Sequence, residues 1–241
     1  MQAWDKIPDE QKDANGAYYA DYTGIMSVGW NADKYGDVTS LNDLLDPKFA
    51  GTVAMNGKPT EAGAAFNGYL MANQLAGGDI NNLQPGLDFF KKLKEAGNLT
   101  TIDVTNGTID SGQVGVVFDW TYNQASYKKE LKSKGVNWRY KTFPKAQVVS
   151  YYNQAINKDA PHPAAARLWE EYLYTAETQN LWFKGGANPV LLDSMKADGT
   201  VDQATLKDAI TIEGQPVTYS NDDSTRITEW LQNNWDKTIG N

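Results

Sequence analysis

The chain has 241 residues, with 22 lysines and arginines against 30 aspartates and glutamates and a formal net charge of -8. That length suits one large or two small domains, and the acidic balance argues against nucleic acid or an anionic membrane as a partner. There is no cysteine, which excludes disulfides, thiolate metal sites and a cysteine nucleophile, and no apolar run approaches the ~18 residues of a membrane span.

The opening residues, MQAWDKIPDEQKDANGAYYADY, lack the charged segment, apolar core and cleavage site of a secretory signal, so an intracellular protein or one whose leader has been removed is expected. Residues 18–30 are β-branched and aromatic, with Gly24 and Gly29 interrupting them; this suits one strand with a bend. After a turn-rich connection over 31–38, Ser40 is placed to cap a short helix over 41–45 that Pro47 stops. A strand over 52–56 then breaks into Gly57-Lys58-Pro59-Thr60, with Thr60 expected to cap a helix running to about 76. The clearest helix lies over 84–96, where Leu87, Phe90 and Leu93 recur at helical spacing and Gly97 ends the run.

Residues 100–111 read as a threonine-rich loop with a short strand over 102–104. A buried strand over 114–119 leads through Asp119-Trp120-Thr121-Tyr122 into a helix over 122–134 and a strand over 136–143, a unit expected to be parallel and right-handed. A further strand is expected over 148–156. Two amphipathic helices follow over 164–174 and 177–183, then shorter helices over 191–196 and 202–208. The last helix, over 224–238, carries Trp230, Leu231 and Trp235 on one face.

For catalysis the inventory is thin. The single histidine, His162, lies between two prolines, and no GxSxG, HExxH or GxxxxGK[ST] pattern occurs. Binding is better served, because ligands of open α/β sheets sit outside the carboxyl ends of parallel strands, where the loops at 57–60 and 119–122 would lie. Lys58, near a helix start, suits an anion; the alternative is an exposed loop lysine. Glu61 in the first helical turn most simply compensates the helix dipole. Asp119 with Trp120 and Tyr122 offers a carboxylate and ring faces to an amine or other cation, unless Asp119 merely caps the next helix and Trp120 fills the core. Tyr151 and Tyr152 alternate sides of one strand, so one should face inward and the other could line a cleft.

The stretches TGIMSVGWN, TSLNDLLDPKFAGTVAM, QPGLDFFKKLKEAGN, SGQVGVVFDW and GGANPVLL resemble the bacterial extracellular solute-binding proteins of ABC importers, in the group that includes spermidine/putrescine, ferric-iron, thiamine and phosphonate binders. The resemblance implies an α/β, type II periplasmic-binding-protein-like fold and a non-enzymatic protein that traps solute between two lobes by hinge closure and presents it to a membrane permease. It implies one complete α/β lobe over 24–143, with 1–23 and 144–241 forming the hinge and the helical remainder of the other lobe. The segment that precedes Trp4 in relatives is absent, so apolar helix faces are expected to lie open and to favour self-association.

By position, the resemblance assigns ligand contacts to Lys58, Thr60, Glu61, Asp119, Trp120, Tyr122, Tyr151 and Tyr152, with no catalytic or metal residue and no cofactor. Lys58 stands where a carboxylate would help hold an amine, which speaks against a simple diamine. A zwitterion, a phosphonate or a carboxylate stays open, and ferric iron through the paired tyrosines. The implied location is periplasmic or extracellular and membrane-anchored. An enzyme on a related two-lobed scaffold and a truncated form without binding are the alternatives.

Overall fold

The computed structural model describes residues 1–240. In chain order the first half forms β1 (Tyr19–Thr23), β2 (Met26–Asn31), α1 (Ala32–Tyr35), β3 (Val53–Met55), α2 (Gly63–Leu75), α3 (Gln84–Glu95), α4 (Asn106–Asp110), β4 (Val116–Trp120) and α5 (Thr121–Lys132). The second half forms β5 (Trp138–Lys141), β6 (Tyr152–Gln154), α6 (Pro163–Leu173), α7 (Ala176–Lys184), β7 (Asn188–Pro189), α8 (Leu192–Asp198), α9 (Gln203–Asp208) and α10 (Asn221–Thr238). Two compact units result among the described residues: Met1–Ile25 with Ser150–Ile212, and Met26–Val149 with the residues from Glu213 onward.

The second unit is built on a four-stranded sheet in the order β3-β4-β2-β5. β3 runs parallel to β4, while β2 is antiparallel to both β4 and β5. β4 and β5 therefore share a direction, as expected of the strand–helix–strand unit, but β2 lies between them. β4 is buried along its whole length, and its alternating residues feed two cores. Val116 and Phe118 join Tyr69, Phe90 and Trp235 on one face; Val117 joins Ile109, Leu131 and Trp138 on the other. This is the period-two rule applied to a strand with no solvent face.

α10 belongs to this unit, whereas the resemblance implies a place for it in the remainder of the first lobe. Its buried stripe, Ile227, Leu231 and Trp235, finds cover in the second unit, with the Trp235 ring 5.3 Å from Phe90 and 6.0 Å from Tyr69.

The first unit has a three-stranded antiparallel sheet in the order β6-β1-β7 and carries α6 to α9. The single bent strand expected over 18–30 is two strands, broken at Gly24 and Ile25, and the unit boundary falls at the break. Asp21 of β1 is fully buried; Gln154 Nε2 and Gln179 Nε2 each donate to its carboxylate at 3.0 Å. Most of the stretch expected as a strand over 148–156 is irregular; β6 is its one strand, and Val148 makes an isolated bridge to Val217. The short strand expected over 102–104 does not form. Instead Thr105 caps α4, its hydroxyl accepting from Thr108 N.

α6 buries Glu170 and Leu173 and turns several of its other apolar residues outward. Glu170 is 6% exposed, whereas Leu168 is 72%, Trp169 59% and Tyr172 40% exposed. An amphipathic helix normally does the reverse.

Candidate functional site

The parallel pairing of β3 and β4, in register Met55↔Phe118, sets the carboxyl ends of both strands side by side. The next residue of each makes the join. Asn56 Nδ2 donates to Asp119 Oδ2 at 2.8 Å. The same oxygen accepts from Tyr127 Oη at 2.9 Å, and Oδ1 accepts from Trp120 N at 2.8 Å and Asn123 Nδ2 at 2.9 Å. Asn123 and Tyr127 reach it together because they stand four residues apart on one face of α5. Asp119 is wholly buried. Loss of hydration pushes its carboxyl above the ordinary range, against the pull of the four donors; the Tyr127 phenol is likewise raised, first by burial and then by the facing carboxylate.

The loop after β3 depends on Gly57, whose φ of +94° is a region L side chains rarely adopt. A Cβ there would also stand 2.5 Å from the Ala62 Cβ. The Lys58 carbonyl accepts from Glu61 N at 2.9 Å and Ala62 N at 2.8 Å, so a separate turn precedes α2 and Ala62 is the residue at its cap. Thr60 therefore does not cap the helix, and Glu61 lies before its first turn. Lys58 Nζ sits 2.8 Å from Asp236 Oδ1 at the end of α10 and 3.8 Å from Glu61 Oε1. The hydrogen bond to Asp236 holds the ammonium above its usual range. Beside it opens a cavity of about 280 Å³ whose polar lining includes Lys58, Glu61, Thr100, Thr101 and Asp103, with Trp235 as an apolar wall.

Of the sequence-derived candidates, Lys58 and Glu61 line this cavity and Thr60, between them, is half-buried. Asp119 and Trp120 are buried beneath the neighbouring loop; the direct ligand contact expected of them is not available while Asp119 is enclosed by its own donors. Tyr122 is half-buried with its ring stacked on Trp120 at 6.4 Å.

Tyr151 and Tyr152 belong to the first unit. Tyr151 packs on that unit's core, and burial, with smaller effects from Asp193 and Glu10, pushes its phenol up to about 12. Tyr152 is exposed and stacks on Tyr22 at 5.0 Å; Tyr22 in turn stacks on Trp182 at 4.4 Å. Sequence reasoning missed Tyr127, Asp236 and Trp182, and it placed Asn56 in the binding loop without its tie to Asp119. The four-residue spacing of Asn123 and Tyr127 could have pointed to a shared target, but nothing local announces Asp236, 178 residues from Lys58.

A sequence model described as bacterial extracellular solute-binding protein matches residues 1–209. No curated protein matches the sequence. Among solved structures, the chain is similar to the periplasmic binding protein AfuA from Actinobacillus pleuropneumoniae with fructose-6-phosphate bound, at 18% identity and a TM-score of 0.69 over 95% of this chain and 73% of that one. It is similar to iron-bound HitA from Pseudomonas aeruginosa, at 21% identity and 0.67 over 98% and 74%. It is also similar to AgtB from A. tumefaciens R10 in complex with agropinic acid, at 18% identity and 0.62 over 97% and 70%. At such identities the likeness establishes the fold, which is that of the type II periplasmic binding proteins.

Proposed function

The chain belongs to the bacterial extracellular solute-binding proteins, the binding components of ABC importers, and on that premise we propose that it captures a small zwitterionic or anionic solute and passes it to a membrane permease. The observation that carries the solute class is Lys58. It is a cation on a loop fixed by Gly57 and by the Lys58 carbonyl turn, at the rim of a cavity whose Thr100 and Thr101 are also placed to meet an anion. Glu61 and Asp103 in the same lining would receive an ammonium group, which favours a zwitterion over a bare diamine. Two of the structural neighbours were solved with fructose-6-phosphate and with agropinic acid, anionic solutes of the kind such a lysine would meet.

In this reading Lys58, Thr60, Glu61 and Tyr122 meet the solute, while Asp119 and Trp120 hold the two loops from beneath. Hinge closure that adds Tyr151 and Tyr152, delivery to the permease, and a periplasmic or membrane-anchored location belong to the same proposal. Among the described residues no helix is long and apolar enough to cross a membrane.

A thermal-shift screen of amino acids, phosphonates, carboxylates, amines and ferric salts tests the solute class, since a ligand at 100 times its Kd adds about 2.7 kcal/mol to the folded state. Lys58→Ala is expected to weaken an acidic solute roughly tenfold or more in titration calorimetry. Because the ion pair it breaks is part-exposed, little effect on stability is expected. Equal affinity in both proteins would remove Lys58 from the site.

The open face of α6 supports a second element of the proposal, pairing with a second copy of the chain. Leu168, Trp169 and Tyr172, with Leu181 (56% exposed) on the adjoining α7, expose on the order of 450 Å² per copy if each side chain offers about 200 Å². That is large for one patch on a monomer but below the ~800 Å² per partner of a standard interface, so a weak, concentration-dependent dimer is expected. Light scattering should show a mass rising toward two chains, and Leu168→Glu with Trp169→Glu should return it to one. A wild-type mass of one chain at every concentration would end this part.

A further inference from the structure

A second cavity, of about 440 Å³, lies wholly within the first unit, and its lining includes Trp4, Asn15, Tyr19, Arg167, Glu170 and Glu171. Its size is that of a small-molecule site. The unusual group in it is Glu170. A carboxylate that is 6% exposed is normally paired or hydrogen-bonded, because an unpaired buried charge is costly. Among the described residues Glu170 has neither an ion pair nor a side-chain hydrogen bond, and burial alone acts on its ionisation, pushing it upward. Its oxygens are nevertheless not among the wholly enclosed unsatisfied atoms, and Glu170 is one of the residues that line the cavity.

The surroundings supply the rest of a recognition site. Arg167 stands one helical turn before Glu170, and among the described residues it enters no ion pair of its own; it is exposed at the cavity edge. Glu171 is already engaged, accepting from Gln2 N at 3.0 Å. Trp4 and Tyr19 meet edge to face at 5.9 Å, and the Trp4 ring already carries the Lys12 ammonium at 5.1 Å, so aromatic surface suited to a cation is part of this wall.

We propose that this cavity is a second binding site, separate from the loops after β3 and β4, for an ω-amino acid whose ammonium pairs with Glu170 and whose carboxylate pairs with Arg167. Residues three apart on a helix have Cβ atoms about 5–6 Å apart, so the two charges of the ligand should be separated by several carbons. The proposal stands whether or not Lys58 binds a solute.

The experiment is titration calorimetry on the whole chain with three probes: γ-aminobutyrate, n-butylamine and butyrate. One saturable γ-aminobutyrate site is expected, with n-butylamine weaker and butyrate weakest. Glu170→Gln, which removes an unpaired buried charge and keeps the shape, should weaken γ-aminobutyrate at least about tenfold. Arg167→Ala, at an exposed position where folding is unaffected, should weaken γ-aminobutyrate while leaving n-butylamine unchanged; it decides the matter if the Glu170 variant is unstable. Lys58→Ala should change nothing. The proposal is overturned by no saturable γ-aminobutyrate binding up to about 10 mM, by undiminished binding in either α6 variant, or by loss of binding in Lys58→Ala.

Discussion

Asp119→Ala is expected to lower the unfolding free energy by about 3–5 kcal/mol, read from urea unfolding followed by tryptophan fluorescence. The carboxylate is the common acceptor of Asn56, Trp120, Asn123 and Tyr127, and its removal orphans one buried and three part-buried donors at once. The same change should weaken solute binding at the loop after β3, because Asn56 loses its tie to β4. Asp119→Asn keeps the volume, and the Tyr127 hydroxyl can turn from donor to acceptor, so a smaller loss is expected.

The pH dependence separates the two variants further. The folded chain holds the Asp119 proton more tightly than the unfolded chain does, since the pKa is raised on folding from 3.8. This residue's contribution to stability is therefore fully present below the ordinary carboxylate range. It declines as pH rises through that range to the raised value. Asp119→Asn should flatten this decline in urea midpoints measured across the acid range. An Asp119→Ala protein within 1 kcal/mol of wild type would show that water replaces the carboxylate at no cost, and the pinning role would be withdrawn.

The second large effect is expected at Gly29, in the middle of β2 between Val117 of β4 and Tyr140 of β5. An added Cβ would stand 1.9 Å from Gln124 Oε1 and 2.8 Å from Trp138 Nε1. Gln124 cannot simply move aside. It is fully buried, its Nε2 donates to Val117 O at 3.0 Å, and its Oε1 accepts from Trp138 Nε1 at 2.8 Å. Gly29→Ala should therefore break both bonds and shift α5 against the sheet, at a cost of about 3–4 kcal/mol. Adding Gln124→Ala should recover part of the loss, since it vacates the space the methyl needs, so the two changes together should cost less than their sum. Gly63→Ala is the control. At the start of α2, where a methyl meets nothing within 4 Å, it should leave stability unchanged within about 1 kcal/mol or raise it. A mild Gly29→Ala would mean that the sheet is more compliant here than its packing indicates.

The parts of the fold legible in the sequence are those where one local rule acts. α3 follows from the spacing of Leu87, Phe90 and Leu93, and the ends of β3 and β4 from apolar runs that stop at polar loops. The family follows from stretches such as TSLNDLLDPKFAGTVAM, and the fold and the family match agree with it. The expectation of uncovered apolar helix faces follows from the resemblance and not from composition; in the structure Trp169 and Tyr172 of α6 are exposed.

What the sequence could not decide was partnership over distance. Asp119, Trp120 and Lys58 are chemically apt ligands in one dimension. In three, Asp119 is enclosed by donors from β3 and α5, Trp120 is core, and Lys58 is held by Asp236 of a helix that the resemblance places in the other lobe. Thr60 is a good cap by type, yet the Lys58 carbonyl had already taken the amides that a cap would have served. Residue type and spacing thus set which strands and helices form, because those interactions are between near neighbours. Which side chain faces a cavity and which is buried depends on elements far apart in the chain, and only packing brings them together.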